Sequence, residues 1–340
     1  MLSRLRRRRP DASATTFGLV LMYHGIGEVD MDPWGLFVSP ANFEAHLEVL
    51  NRTARPLALP ALVSAAGGVS THGNGGQPAV AVTSDDGYAN IAATAKPLLE
   101  RHDIPATLFA ISAPLTEGGE YWWDELEAII LQPGTLPDHL DIEDAGHHLS
   151  MPLDAATTYT PAQRRVDHRF RDGDRPGARM ALYLRLWAEL RDIGHTARRR
   201  LLDRLWDWAG GPLAPRESHR NLTIEELTAL DGELVTIGGH TMTHPLLPEI
   251  SFRRQRREII DNKRHLESIL NRPVDVFSYP FGAHSNETVA AARSAGYHVA
   301  VTTRPTPVTD TTDGLRIGRF DVKNWDGDEF ARRLDEWWRP

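Results

Sequence analysis

The sequence predicts an α/β protein, a (β/α) barrel interrupted by a mostly helical insertion, on three observations. Short apolar runs alternate with helix-like segments over most of the 340 residues, the pattern of βαβ units and a parallel sheet. No G-x-G-x-x-G turn follows any of those runs, so the phosphate cradle of a dinucleotide-binding sheet is missing. The acidic and histidine motifs fall where predicted strands end, the face on which α/β barrels carry their chemistry.

Taken in order, residues 1–16 read as a disordered basic tail, with Arg4 and Arg6 to Arg9 solvated. Contact of that tail with anionic lipid is the lesser reading. FGLVLMY (17–23) suits a buried strand, being too short and Gly-interrupted for a secretory apolar core. No stretch approaches a transmembrane span, and a cytoplasmic location is the expectation. A loop through Pro33 and Pro40 leads to a helix over 41–50, where Phe43, Leu47 and Leu50 recur at helical spacing. GGVSTHGNGGQP (67–78) is a Gly-rich connector. AVAVT (79–83) is apolar throughout, as in a strand covered on both faces. A helix over 89–102 and a strand over 106–112 complete the first βαβ unit.

From about 120 to 220 the rhythm breaks. YWWDELEAIILQ and ARMALYLRLWAELRDIGHTARRRLLDRLWDWA are helical, separated by a polar stretch rich in His and Asp. This reads as a mostly helical insertion in a single domain running from 17 to 340. NLTIEELTAL then carries a capping box, Thr223 with Glu226. LVTIGGH is a strand, RREIIDNKRHLESIL an amphipathic helix, VDVFSYP a strand, ETVAAARSAG a helix ending at Gly296, and YHVAVTT a strand.

The charge of −8 argues against a nucleic-acid binder with a broadly basic surface. With no cysteine, thiolate metal sites and thiol nucleophiles are excluded. Any metal must be held by His, Asp or Glu.

TSDDGYAN sets Asp85 against Asp86, a crowding of like charges that needs a reason. GGHTMTHPLL places His240 and His244 four apart after a strand. Residues so spaced on a helical turn project side by side and can share a metal. Alone, the pair is weak evidence, and loop histidines capping carbonyls are the better reading. FSYPFGAHS ends a strand in a Pro-Phe-Gly turn whose N–H groups could face an oxyanion, though in isolation a plain turn is the better reading. Together, at strand ends, the three suit a His₂Asp site with open positions for Zn²⁺ acting as a hydrolytic Lewis acid.

The three motifs resemble those of the polysaccharide deacetylases of carbohydrate esterase family 4, with the chitooligosaccharide deacetylase homology domain. VTSDDGYAN…LLERHDIPATLFAIS is similar to the first motif and its following strand, IGGHTMTHPLL to the second, and FSYPFG to the third. The likeness covers roughly 17–112 and 222–325 and skips the insertion. It implies an incomplete barrel of about seven strands. It also implies Asp85 as general base, Asp86, His240 and His244 as ligands of a divalent metal, and the Phe281 N–H at the oxyanion. A cation between the carboxylates would then relieve their repulsion.

Two departures stand out. Ser278 occupies the place where the family often has an Arg; Arg319 could take over its contact to Asp85, or form an ordinary surface salt bridge. No histidine follows His298, so the family's closing Leu-x-His element, source of the leaving-group proton, is absent. Either another residue supplies that proton or turnover is poor. His24, in MYHGI, is the leading substitute, with a structural histidine as the equal alternative, and His284 is second. Asp321 and Trp325 correspond loosely to a fourth motif. Trp122, Trp123, Trp187, Trp206 and Trp208 read mostly as helix packing, with Trp122 or Trp123 as a lesser candidate for a sugar-stacking wall.

The expectation is therefore a metal-dependent hydrolase removing an N-acetyl (or O-acetyl) group from an amino-sugar glycan or glycan intermediate. Two alternatives are a hydrolase of other C–N bonds (amide, imide, ureide) and a catalytically silent glycan-binding module.

Overall fold

β1 (Thr16–Tyr23) is buried from Gly18 onward, and its chain continues through α1 (Pro40–Thr53) and α2 (Leu59–Gly67). Ser39 caps α1, accepting from the Asn42 N–H, with Pro40 in the first turn where no N–H is missed. The computed structural model describes residues 16–67, 77–144, 146–168 and 174–339. The basic tail up to residue 15 and most of the Gly-rich connector lie outside the described residues.

β2 (Ala79–Ser84) is buried at every position, as a strand covered on both faces must be. α3 (Lys96–His102) leads to β3 (Ala106–Ala110), and α4 (Trp122–Ile130) opens the insertion. Beyond it come a hairpin of β4 (His139–Asp144) and β5 (His147–Pro152), then α5 (Pro161–Asp167), α6 (Ala178–Arg191) and α7 (His195–Trp208). The hairpin corrects the expectation that the His- and Asp-rich stretch merely separates helices. Leu140 and Ile142 on one strand, and Leu149 and Met151 on the other, alternate inward, a period-2 signal hidden by the polar residues between them.

The alternation resumes with α8 (Ile224–Leu230), β6 (Val235–Gly239), α9 (Phe252–Leu270), β7 (Val276–Ser278), α10 (Asn286–Ser294) and β8 (Val299–Val301). The capping box at Thr223 and Glu226 forms in both directions. β9 (Val308–Thr309), β10 (Phe320–Asp321) and α11 (Gly327–Trp338) end the chain.

The sheet runs β8-β7-β6-β3-β2-β1, every neighbour parallel. β9 joins the start of β1 antiparallel and β10 joins its end in parallel. Ile317 bridges to Val301 in β8, while Phe320 and Asp321 pair with Leu21 and Met22 in β1. Residues 317–321 thus strap the two ends of the parallel row together, where a full barrel would have another strand. The result is the distorted, incomplete (β/α) barrel that the sequence predicts.

One core packs α1, α3, α8 and α9 onto the sheet through Leu47, Leu50, Leu99, Leu227, Ile259 and Leu266. A second fills the inside with Val20, Ala81, Phe109, Val276, Val299 and Ile317. Full burial of a side chain of Leu or Phe size stabilises by about 1.5–3 kcal/mol. The insertion shares its core with the rim, since Met31, Phe37 and Tyr88 pack among its tryptophans and leucines. No helix among the described residues is long and apolar enough to cross a membrane.

His46, buried between α1 and α11, donates from Nε2 to the Trp325 carbonyl (2.8 Å) and accepts at Nδ1 from Tyr23 Oη (3.3 Å). Burial, partly opposed by that carbonyl, pushes its pKa from 6.5 down to about 4. Burial, then Arg216 and Arg164, pushes His219 down to about 3. Between those values and 6.5 the folded chain binds fewer protons than the unfolded one. Their contribution to stability is complete above pH 6.5 and is lost as pH falls from there toward 4. The melting temperature should therefore drop steadily between about pH 7 and pH 4.5, and less steeply in His46→Gln.

Candidate active site and metal centre

β2 ends in Ser84, and the chain turns sharply through Asp86 (φ +74°) and Gly87 (φ +109°). A non-glycine residue in the left-handed region is strained, and here its surroundings hold it. The Asp85 N–H donates to the Tyr23 carbonyl (3.0 Å), and the Asp86 carbonyl accepts from Ile111 N–H (3.0 Å) and Tyr121 Oη (2.8 Å). Both carboxylates are buried.

After β6, His240 and His244 do not lie on a helical turn, as their spacing suggested. Thr241 (φ +67°) and His244 (φ +55°) take left-handed conformations in a loop. The Thr241 hydroxyl accepts from the His244 N–H (3.0 Å), and Asn262 Nδ2 reaches the carbonyls of Ala110 and Thr241 (3.1 and 2.8 Å). The loop brings the two rings to 4.9 Å between centroids.

Asp86 Oδ1 stands 3.4 Å from His240 Nε2 and 3.7 Å from His244 Nε2. The three ligand atoms lie within 4.8 Å of one another, the one such cluster among the described residues. The Ser278 carbonyl lies 2.8 Å from His240 Nδ1 and needs a donor there. The proton on Nδ1 leaves the Nε2 lone pair facing Asp86. Two imidazole nitrogens and one carboxylate oxygen, with no sulfur, fit a divalent metal such as zinc.

Burial would raise Asp85, but Arg319 and then His240 outweigh it and hold the carboxyl well below the usual range. Burial would likewise raise Asp86, yet His240 and His244 bring it down. Burial lowers both imidazoles; the two aspartates reverse this at His240, whereas at His244 burial and then His240 push the ring down to about 3.

Arg319 is fully buried, which removes the surface-salt-bridge alternative. It projects from the strap that closes the barrel, and each of its five N–H donors has an acceptor. Nη1 reaches Asp85 Oδ1 (2.7 Å) and Thr83 Oγ1 (3.1 Å), Nη2 reaches Asp85 Oδ2 (2.6 Å) and Ser278 Oγ (3.0 Å), and Nε reaches the Thr302 carbonyl (3.0 Å). Ser278 Oγ also donates to Asp85 Oδ2 (3.1 Å). Serine at this position thus leaves room for an arginine arriving from elsewhere in the chain.

Asp85, Asp86, His240, His244, His24 and Phe281 all line one cavity of about 290 Å³. His24 sits half-buried at the end of β1. Phe281 is itself left-handed (φ +58°), its ring 4.6 Å from His244, and the turn's backbone bonds run from Gly282 to Tyr279 and from Ala283 to Pro280. His284 does not line the cavity; it stacks on Tyr279, with Nδ1 2.9 Å from the Gly282 carbonyl. Asp321 lines the cavity, whereas Trp325 packs against Trp337 away from it.

The aromatic wall differs from the sequence reading. Trp123 lines the cavity, but so does Trp187, and Trp122, Trp206 and Trp208 do not. Trp34, passed over in the Pro33 loop, stands 4.5 Å from Trp187 between ring centroids. Lys323 Nζ holds that loop to the strap through the carbonyls of Trp34 and Gly35 (3.2 and 2.9 Å). A tryptophan in a rim loop was the available signal.

Residues 72–148 and 217–300 match the family model for polysaccharide deacetylase. The chain belongs to the polysaccharide deacetylase family. The unmatched stretch between holds most of β5 and α5 to α7 of the insertion. YxkH of Bacillus subtilis, itself assigned to the polysaccharide deacetylases, is 31% identical over 85 residues, covering 25% of this chain and 30% of that relative. The Streptococcus pyogenes deacetylase PplD in complex with acetate shares the fold at TM-score 0.58 and 16% identity, over 95% of this chain and 99% of that one. IcaB from Ammonifex degensii does so at TM-score 0.57 and 14% identity, over 95% and 98%.

Proposed function

We propose that this polysaccharide deacetylase family member is a metal-dependent hydrolase that removes an N-acetyl group from an amino sugar within a glycan. The observation that carries the reading is the Asp85–Arg319 pair beside Asp86, His240 and His244 in one tryptophan-walled cavity. That a deacetylase with acetate bound has a similar fold supports the reaction class.

Asp86, His240 and His244 would hold the metal, which as a Lewis acid polarises a carbonyl and makes water a nucleophile near neutral pH. Asp85, kept ionised by Arg319, takes the water's proton. The Phe281 N–H would stabilise the oxygen on which charge develops. His24 gives a proton to the departing nitrogen, which is too basic to leave as an anion. Trp34, Trp123 and Trp187 offer flat apolar faces to the sugar ring.

Release of acetate should be measured for N-acetylated oligosaccharides, nucleotide-linked and lipid-linked amino sugars and O-acetylated glycans, and C–N cleavage for simple amides, imides and ureides. Acetate from the N-acetylated sugars with zinc, and none in chelator, supports the proposal. Cleavage confined to the non-sugar amides would replace it with the broader C–N hydrolase reading. No turnover with any substrate, despite sugar binding, would make the chain a binding module.

His24→Ala should lower kcat by about 10²-fold or more, with metal content unchanged. The alkaline limb of the rate profile should go with it. A full profile in that variant would place the acid elsewhere.

A further inference from the structure

α9 buries Gln255, Glu258, Ile259, Asn262 and Leu266 and turns its other face outward. Arg253, Arg254, Arg256, Arg257 and Arg264 are exposed on that outer face. None of the five side chains has an ion pair or hydrogen bond among the described residues. The contrast within the same chain, of net charge −8, is sharp. In α11, Arg332 and Arg333 are both met by Glu329, and in α7, Arg199 and Arg200 are met by Glu125 and Asp144. On α9 the acids lie elsewhere: Glu258 is buried and accepts from Thr243 (2.9 and 2.8 Å), leaving Asp261 as the exposed acid beside the arginines.

Arg253, Arg256, Arg257 and Arg264 border a shallow groove with Phe252 and Ile260. Phe252 is 43% exposed, one of three large apolar side chains so placed among the described residues. From Arg253 to Arg264 the patch runs about 16 Å along the helix. Its start follows β6 and the loop of His240 and His244, and so lies at the end of the barrel that carries the cavity.

We propose that this face of α9 docks on an anionic phospholipid surface. Unanswered guanidinium groups match a surface of phosphates, to which arginine donates in pairs. A juxtaposed basic cluster adds affinity for anionic lipid with each residue. Phe252 and Ile260 decide between partners, because an apolar side chain among the cations partitions into the headgroup boundary, whereas a hydrated polyanion has no use for it. The inference is independent of the reaction proposed above, since it uses no residue of the cavity.

The test is co-sedimentation of the full chain with vesicles of phosphatidylcholine alone or with about 30% phosphatidylglycerol, at about 0.1 M salt. The protein should bind the anionic vesicles, not the neutral ones, and come off at about 0.5 M salt. Arg253→Glu/Arg256→Glu/Arg257→Glu should bind at least about 10-fold more weakly, with its melting temperature unchanged. Absence of binding by the parent chain, or binding by the variant equal to it, would overturn the proposal. So would loss of binding only when Arg6 to Arg9 are replaced, which would assign the contact to the N-terminal residues. Binding of polyphosphate in place of vesicles would assign the face to a soluble polyanion instead.

Discussion

Asp85→Asn should keep the metal and lose activity, whereas Asp86→Asn should lose the metal. The two carboxylates are neighbours in sequence but face different partners. Asp86 Oδ1 points between the two Nε2 atoms at 3.4 and 3.7 Å, so an amide there removes the one anionic ligand of the set. Asp85 has both oxygens engaged by Arg319 and Ser278, and its nearer oxygen is 3.9 Å from His240 Nε2. Replacing it removes a base without removing a ligand. Loss of a positioned general base lowers kcat by about 10²-fold or more. Metal analysis of the purified variants, together with acetate release, separates the roles. Equal loss of metal in both would show that the base and ligand roles are misassigned.

What the sequence reveals of this site follows from how local its signals are. The Asp pair, the His pair and the Pro-Phe-Gly turn are each contained in a few residues at a strand end, and a barrel collects strand ends on one rim. The loop conformation around His244 was not legible, because left-handed threonine and histidine residues are rare and are held by tertiary bonds from Asn262. His284 reads as a candidate acid by position alone, until the Gly282 carbonyl and the Tyr279 ring are seen to hold it. The β4–β5 hairpin was masked by its outward histidines and acids. Trp34 could be placed only by folding the loop of β1 against α6 of the insertion. Arg319 was legible as a candidate but not as buried, because its environment is assembled from β2, β7, β8 and the closing strap.

Arg319→Leu should be the most destabilising single change in the site, by about 3–5 kcal/mol at neutral pH. The leucine fills part of the space but leaves Asp85 buried without its bidentate partner, and takes from the Thr302 carbonyl the donor that Arg319 supplied. The pH dependence distinguishes loss of the pair from loss of packing. In the native chain Asp85 lies below its ordinary value of 3.8, so the pair's contribution is present above that pH and lost as pH falls through the native value. In the variant, burial, the largest influence on this carboxyl, is no longer offset by arginine, and the sign reverses. The neutral acid is then preferred, with stability complete below the ordinary value and lost as pH rises. The gap in unfolding free energy between the two proteins should therefore be wide at about pH 7 and narrow by about pH 4. Urea unfolding in chelator, which removes any contribution from bound metal, measures it. Arg319→Lys, with a charge but no planar fork, should fall between the two in stability and retain the native sign. A gap of equal width at both pH values would mean that Arg319 acts by filling space, and that Asp85 is held ionised by His240 instead.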